Sequence, residues 1–478
     1  MRNLTMMTDL YQLTMMYGYF KHSMKDNVAV FDLFFRQTRP NTVYAVMAGL
    51  ESAVDYVKNL HFEEDDIAYL RSLHLFDESF FDYLRAFRFT GEMYAMPEGT
   101  VVFPHEPLVR VKAPIIEAQL LETALLNIIN HQTLIATKAS RVVYAANGDP
   151  VLEFGLRRAQ GPDAGIYGAR AAIIGGCSST SNVLTGKLYD VPIKGTHAHS
   201  WVMSFPTELD SFRAYAKTFP DTCLLLVDTY DTLRSGIPNA ITVFEELREQ
   251  GYEPVGIRLD SGDLAYLSKK AREMLDEAGF QKAKIYASGD LDETVIRDLK
   301  AQGACIDVWG VGTRLITSDD HPALGGVYKM SAELIDGKLI PKIKRSDNPA
   351  KVTNPGYKKV YRLYRNKNGK AIADIITLAE ETIDTKKPLR IFDPEQTWKS
   401  MMVTDFSARE LLVPIFLNGE LVYDLPDIHA IQDYAKNELA TMWEEYKRLL
   451  NPHAYKVDLS DQLYDLKQRL LREHATTL

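Results

Sequence analysis

The run Gly-Thr-His-Ala-His-Ser-Trp at residues 195–201 holds the strongest candidate for chemistry in this sequence. It directly follows residues 191–193, a short apolar segment that we predict to be a strand. A histidine just past a strand end can face a ligand at the mouth of a sheet, where neutral imidazole is a good nucleophile or base. His199 is therefore the candidate nucleophile. The alternative is a core or loop histidine bonded to backbone.

Other predicted strands also end in polar residues or glycines. The apolar run 151–154 leads into Arg157, the run 255–259 leads into Asp260, and 285–287 leads into Ser288. In α/β barrels the carboxyl ends of the strands form the active-site face. This clustering predicts an enzyme.

The arginines at these strand ends suit an anionic ligand, and the carboxylate suits a positively charged or hydroxyl-bearing one. Arg157 and Arg158 can pair with carboxylate or phosphate, although Arg158 equally suits a structural ion pair. Asp260 can stabilise positive charge, hold hydroxyl groups or bind magnesium. The alternative is that Asp260 and Ser261 cap the next helix, a role that Asp263 suits better.

Glycines at two later strand ends predict a phosphate cradle, because glycine lets backbone N–H groups approach anionic oxygens. Asp290 suits ligand hydroxyl groups better than phosphate, since like charges repel. A single Gly-x-Gly is usually an ordinary turn, so the prediction depends on two neighbouring strand ends. The cradle residues are Ser288, Gly289, Gly310, Gly312 and Thr313.

Taken together, these segments resemble the nicotinate phosphoribosyltransferase family. The resemblance begins at residues 8–12 (Thr-Asp-Leu-Tyr-Gln) and runs past residues 355–356. The resemblance implies transfer of phosphoribose from phosphoribosyl pyrophosphate to nicotinate, in NAD salvage. It also implies ATP hydrolysis through a transient phosphohistidine in the Gly-Thr-x-Ala-His motif, which is His199 here. His197 occupies the variable position, so we expect it to be structural. Thr196 of the motif is expected to contact substrate.

The resemblance assigns further roles. Tyr11 and Phe154 are expected to stack on the pyridine ring, Arg157 and Arg258 to bind anionic groups, and Asp260 and Asp290 to position the ribose. Ser178 is expected to favour nicotinate over nicotinamide, where relatives have an aspartate; the alternative is a helix-start serine. In the family the tyrosine reaches the neighbouring subunit, which implies a homodimer with active sites at the interface.

Four alternatives remain. The chain could be a nicotinamide phosphoribosyltransferase, a quinolinate-using relative, a generic phosphosugar barrel enzyme, or a noncatalytic nucleotide sensor of the same fold. The sequence Glu-Phe-Gly-Leu-Arg-Arg-Ala-Gln-Gly at residues 153–161, together with Ser178, argues against a nicotinamide phosphoribosyltransferase. Quinolinate calls for a denser cationic pocket, and a sensor is expected to have lost His199, Asp260 or Arg157.

Composition limits the other classes of function. A chain of 478 residues suggests two or three domains, and a net charge of −9 argues against a nucleic-acid partner. No signal peptide, membrane span or Gly-x-x-x-x-Gly-Lys-Ser/Thr loop is expected, and no metal motif occurs. We expect a cytoplasmic protein in which Mg²⁺ arrives with phosphoribosyl pyrophosphate and ATP. The cysteines, predicted to be buried free thiols, are Cys177, Cys223 and Cys305.

The spacing of apolar runs predicts the elements that position these residues. From about residue 150, strand-length runs alternate with amphipathic helices, which indicates a parallel sheet covered by helices. The predicted fold is α/β: an irregular parallel, TIM-like barrel plus an α+β domain that, by the family's architecture, joins both ends of the chain. The predicted boundaries are 1–136, 137–335 and 336–478. Lysines of the basic segment 342–370 could reach pyrophosphate or ATP phosphates, or form a solvated hairpin face.

Overall fold

In the computed structural model, the described residues are 3–38, 41–348 and 351–473. They form two compact units: one contains the residues up to Leu134 together with those from Ala323 onward, and the other spans Ile135–Pro322. We describe each unit separately.

The elements follow in chain order. The N-terminal part contains α1 (Leu10–Lys21), β1 (Val28–Phe35), β2 (Ala45–Val46), α2 (Leu50–Lys58), α3 (Glu64–Ser72), α4 (Glu78–Arg85), β3 (Glu92–Ala95), β4 (Val101–Val102), β5 (Val109–Pro114) and α5 (Ile115–Ala146). The middle part contains β6 (Val151–Glu153), α6 (Pro162–Ile174), β7 (Ser179–Thr180), α7 (Val183–Tyr189), α8 (His199–Met203), α9 (Glu208–Thr218), β8 (Leu224–Leu226), α10 (Ile237–Glu249), β9 (Gly256–Leu259), α11 (Leu264–Glu277), β10 (Lys284–Gly289), α12 (Glu293–Ala301), β11 (Val308–Val311) and α13 (Thr313–Ile316). The C-terminal part contains β12 (Gly326–Ile335), β13 (Lys338–Pro341), β14 (Lys358–Arg365), β15 (Ala371–Leu378), β16 (Leu389–Phe392), β17 (Ser400–Val403), β18 (Phe406–Glu410), β19 (Val413–Leu417), β20 (Glu420–Leu421), α14 (Ile428–Thr441), α15 (Glu444–Lys447), β21 (Val457–Leu459) and α16 (Asp461–Glu473).

The unit spanning Ile135–Pro322 is built on a six-stranded sheet in the order β7-β6-β11-β10-β9-β8, and every pair in it is parallel. Helices alternate with these strands, and apolar side chains such as Phe212, Phe244 and Ile285 are completely buried between them. This is the parallel α/β arrangement that the alternation of apolar runs and helices predicted.

Residues 191–199 lie between the two edge strands of this sheet. Ile193 forms a parallel bridge with Thr180 of β7, and the ring nitrogen Nε2 of His197 accepts a hydrogen bond of 3.2 Å from the Leu226 N–H of β8. The strand predicted at 191–193 is therefore reduced to a single bridge. The segment that carries the histidines contacts both edges of the sheet.

The other unit contains sheets assembled from both ends of the chain. In the largest, β1 pairs with β5 on one side and with β12 on the other, both antiparallel. A four-stranded sheet follows the order β18-β14-β15-β21. Together, the α+β unit built from both chain ends and the parallel α/β unit confirm the predicted fold class.

Several local predictions were wrong. Proline and glycine are absent from most of residues 41–59, which predicts a mostly helical segment, but β2 occupies part of it and α2 starts only after Gly49, whose φ is +100°. The apolar pair at 173–174 predicts a short strand, but these residues end α6. The sequence predicts a helix over 116–146 with a break near His131, but α5 is continuous over 32 residues. The sequence also predicts a helix at 459–475, and this helix is present as α16 over Asp461–Glu473, while residues 474–475 lie outside the described part.

The basic segment contains side chains in different environments. Lys358 is buried and forms an ion pair of 2.7 Å with Asp32, so this lysine holds the fold together. Lys342 pairs with Glu333 at 2.9 Å on the surface. Residues 349–350 lie outside the described residues.

No helix among the described residues is long and apolar enough to cross a bilayer. Cys177 and Cys223 are buried and Cys305 is half-buried, and all three are free thiols.

Candidate active site

His199 is the first residue of α8 and faces the end of β8. Its Nε2 lies 3.1 Å from Oδ1 of Asp228, a carboxylate directly beyond that strand. The His199 side chain is 40% exposed, whereas that of Asp228 is 2% exposed. An imidazole held by a buried carboxylate on one nitrogen and open on its other side can act as a nucleophile or base.

Asp228 also organises the loop after β9. Its Oδ2 accepts hydrogen bonds from the Asp260 N–H at 2.9 Å and from the Ser261 hydroxyl at 2.7 Å. The sequence showed a polar cluster at 228–231 but did not single out Asp228. The sequence signal that could have identified Asp228 is its position at the end of an apolar strand, level with the polar residues at the other strand ends.

Arg258, Asp260 and Ser288 form a compact polar triangle. The Arg258 guanidinium donates to Asp260 Oδ1 at 2.8 Å and to Ser288 Oγ at 2.7 Å, and the Ser288 hydroxyl donates to Asp260. Burial opposes ionisation of Asp260, but the hydrogen bonds from Ser288 and Arg258 outweigh it, so its pKa lies below the usual value. Asp260 is therefore a carboxylate at neutral pH.

Asp263 caps α11 by accepting from the Tyr266 N–H at 3.0 Å. This leaves Asp260 free of the capping role that was its alternative.

An open cleft of about 530 Å³ extends beside this triangle, lined by the ends of β9 and β10. Asp290 is exposed and lines the cleft. Gly289 has a φ of +121°, and a Cβ there would lie 2.8 Å from the Asp260 carbonyl oxygen. Glycine is thus required for these two loops to approach each other.

Phe154 packs closely against Gly310 of β11 and against Gly312, which directly follows that strand. A Cβ on Gly310 would lie 2.7 Å from the Phe154 ring, and one on Gly312 would lie 3.2 Å from the Phe154 carbonyl oxygen. The Arg258 guanidinium carbon lies 5.6 Å from the centroid of the same ring. Gly312 precedes α13, and Thr313 is exposed at its first turn, so backbone N–H groups are available here.

The strand register separates the inward face of the sheet from its outer face. Side chains two apart share a face, and parallel neighbours in register share it too. Gly310 is level with Leu152 and Ser288, and Leu152 is level with Ser179. These positions line an inner cavity of about 100 Å³ together with Phe154, Thr196 and Arg258, whereas Ser179 joins the face by register alone.

Ser178 and Ser179 consequently differ in environment. Ser178 lies before β7 and donates to the Val151 carbonyl at 3.1 Å, at the amino end of the sheet. Ser179 is on the inward face, is 2% exposed, and its hydroxyl has no hydrogen-bond partner among the described residues. The structure thus separates Ser178 from the strand ends and places its neighbour on the face of the cavity. Ser178 does not start a helix either.

Arg157 and Arg158 lie in a single 3-10 turn, Leu156–Arg158, directly after β6. Both are exposed, and neither forms an ion pair with another described residue. The structural ion pair that was the alternative for Arg158 is not observed in this part of the chain.

His197 has the structural surroundings expected for the variable position. It is 8% exposed and packs against Tyr215, with ring centroids 4.7 Å apart. Burial lowers the pKa of His197 to about 4, so it is neutral. Tyr11 belongs to the other unit, on α1, where its side chain is exposed together with Leu10 and Met15.

Comparison with known proteins gives a consistent result along the whole chain. The N-terminal domain of nicotinate phosphoribosyltransferase matches residues 6–130, the nicotinate phosphoribosyltransferase family matches residues 150–377, and the C-terminal domain matches residues 357–467. The chain belongs to the nicotinate phosphoribosyltransferase family. The resemblance noted in the sequence is thereby confirmed.

Curated members of the nicotinate phosphoribosyltransferase family match over nearly their full length. The Bacillus subtilis (strain 168) nicotinate phosphoribosyltransferase is 52% identical over 471 residues, covering 98% of this chain and 96% of its own. The Homo sapiens nicotinate phosphoribosyltransferase is 34% identical over 523 residues, covering 97% and 96%.

Solved structures agree. The crystal structure of human nicotinic acid phosphoribosyltransferase matches with a TM-score of 0.85 and 32% identity, covering 97% of this chain and 99% of that one. The nicotinate-nucleotide pyrophosphorylase from Pyrococcus furiosus matches with a TM-score of 0.70 at 23% identity, covering 92% and 96%, and shows the same fold.

Proposed function

We propose that this protein transfers the phosphoribosyl group of phosphoribosyl pyrophosphate to nicotinate, releasing pyrophosphate and forming nicotinate mononucleotide. In this proposal the reaction is coupled to ATP hydrolysis through a phosphohistidine at His199, and it is the first step of NAD salvage from nicotinate in the cytoplasm. This makes the enzyme both a glycosyltransferase and an ATP-dependent ligase. The observation that carries the proposal is that Asp228 joins His199 to the loop bearing Asp260.

The His199–Asp228 hydrogen bond supports the phosphoryl step. When Asp228 accepts the Nε2–H, the lone pair of neutral His199 resides on Nδ1. Nδ1 then attacks the γ-phosphorus of ATP, a P–N bond forms, and the P–O bond to ADP breaks. Water later cleaves the P–N bond and releases inorganic phosphate.

The Arg258–Asp260–Ser288 triangle supports the transfer step. The C1–O bond to pyrophosphate breaks, positive charge develops on the ribose, and the nicotinate nitrogen attacks C1. The ionised Asp260 is available to stabilise that charge because Arg258 and Ser288 hold its carboxylate in place. Asp290 positions ribose hydroxyls, and the backbone at 289 and 310–313 receives the 5′-phosphate.

We propose that Mg²⁺ enters this cleft together with the substrates, with their phosphate oxygens among its ligands. No group of three or more acidic, histidine or cysteine side chains that could hold a metal occurs among the described residues. Asp260 and Asp290 nevertheless line the cleft, and Mg²⁺ typically takes one or two carboxylates together with phosphates and water. When bound, the ion neutralises phosphate charge and favours departure of pyrophosphate.

We propose a homodimer in which Tyr11 completes the pyridine site of the partner. The exposed apolar side chains on α1 support this, because Leu10, Tyr11 and Met15 form a patch of the kind that protein interfaces cover.

The test is incubation with labelled nicotinate, phosphoribosyl pyrophosphate and magnesium, with and without ATP, followed by identification of the products. The proposal expects nicotinate mononucleotide, more of it with ATP, and acid-labile phosphate on the protein. Faster turnover of nicotinamide would instead identify a nicotinamide phosphoribosyltransferase. Nucleotide binding without pyrophosphate release would identify a sensor.

A further inference from the structure

Lys194 lines the inner cavity of the parallel sheet. Residues 192 and 194 flank Ile193, which pairs with Thr180 of β7. Ile193 faces outward, because a Cβ on Gly186 of α7 would lie 2.4 Å from its Cγ2. Lys194 therefore points to the opposite face, and it does line the cavity.

The cavity lining contains two cations and no carboxylate. The cations are Lys194 and Arg258, and the other members are apolar, hydroxyl-bearing or glycine residues. Arg258 is already paired with Asp260 at 2.8 Å. Lys194 is solvent-exposed and forms no ion pair or side-chain hydrogen bond with another described residue, so its positive charge is available to an anionic ligand.

A second polar group on the same inward face also has no partner. The Ser179 hydroxyl is buried and accepts or donates no hydrogen bond within the described chain. A buried hydroxyl without a partner costs free energy unless a ligand satisfies it. An ammonium group and a hydroxyl on one apolar surface suit a small planar ring that carries a single carboxylate.

We propose that Lys194 binds the carboxylate of nicotinate and, with Ser179, determines the preference for the acid over the amide. This inference rests on the proposed function and adds a specificity residue to it. An ammonium ion forms a charge-assisted hydrogen bond with a carboxylate, whereas a neutral carboxamide gains much less from it. Phe154, which lines the same cavity, supplies an aromatic surface for the pyridine ring.

The experiment compares Lys194→Met with Lys187→Met. Lys187 is an exposed lysine on α7 that does not line the cavity, so it controls for the loss of one surface charge. We expect Lys194→Met to raise both the KM and the equilibrium dissociation constant for nicotinate about 10-fold. The KM for phosphoribosyl pyrophosphate and the kcat/KM for nicotinamide should stay within about twofold of their wild-type values. Lys194→Arg should recover most of the affinity for nicotinate.

The outcomes separate this inference from the proposed function. If the wild-type protein turns over nicotinate and Lys194→Met binds it as Lys187→Met does, the role of Lys194 is refuted and the proposed function stands. An equal loss for nicotinate and nicotinamide also refutes it, because that result indicates a general packing effect. A wild-type protein that neither binds nor converts nicotinate refutes both.

Discussion

Asp228 holds His199 through one carboxylate oxygen, at 3.1 Å, and the backbone of Asp260 through the other, at 2.9 Å. One buried carboxylate thus connects the candidate phosphoryl acceptor with the candidate ribose-binding loop. A change of charge at His199 acts directly on a group that orders the Asp260 loop. This gives a physical route by which ATP use and phosphoribosyl transfer can be coupled.

His199→Ala is expected to abolish ATP stimulation while leaving slow, uncoupled transfer, because Arg258, Asp260 and Ser288 remain in place. Transfer is measured with labelled nicotinate at matched ATP concentrations. Retention of full ATP dependence in the variant would show that His199 does not carry the phosphoryl group.

Asp228→Asn is expected to slow phosphorylation of His199 by about 10²-fold or more, because an amide no longer fixes the reactive tautomer. Incorporation of labelled phosphate from ATP measures this rate. Asp263→Asn is the matched control: it makes the same change of side chain in the same loop and should leave stability and coupling nearly unchanged, because asparagine caps a helix about as well as aspartate. Equal phosphorylation in both variants would exclude the role of Asp228.

Ser179→Asp is expected to lower kcat/KM for nicotinate by at least about 10-fold, because a carboxylate on the inward face repels the substrate's carboxylate. Ser178→Asp should have little effect, since Ser178 lies at the amino end of the sheet. The measured quantity is the ratio of kcat/KM for nicotinate to that for nicotinamide. A larger change in Ser178→Asp would restore the assignment made from sequence.

His197 is expected to make the protein less stable in acid. Its pKa is lowered from 6.5 to about 4 by burial, so the unfolded chain binds more protons between these values. Neutral His197 therefore makes its full contribution to the free energy of unfolding above about pH 6.5. That contribution, roughly 3 kcal/mol in all, is lost as the pH drops towards 4.

Denaturant unfolding of the wild type and His197→Gln at several pH values tests this prediction. Glutamine can accept the Leu226 N–H bond but does not titrate. Burial also lowers the pKa of His105 and of His131, and both remain in the two proteins, so they cancel in the difference. Parallel pH curves for the two proteins would contradict the prediction.

The strand ends were predictable because each apolar run is local in sequence and its burial forces the following polar residues to the sheet edge. The positions of Ser178 and Ser179 in the sheet were not predictable. A slip of one residue moves a strand side chain to the other face, and only the pairing of Ser179 with Leu152 decides the register. Asp228 was missed for a related reason. Its partners, His199 and Asp260, are each about 30 residues away, and no local pattern shows that they meet.

The pairing of β1 with β12 has a consequence for synthesis. Val30 is level with Ala332, about 300 residues later in the chain. A ribosome adding about 5–20 residues per second takes roughly 15–60 s to make that stretch. During this interval β1 has β5 on one side and an unsatisfied backbone edge on the other, which invites pairing with foreign strands. The nascent protein is therefore most vulnerable to aggregation before its C-terminal third emerges.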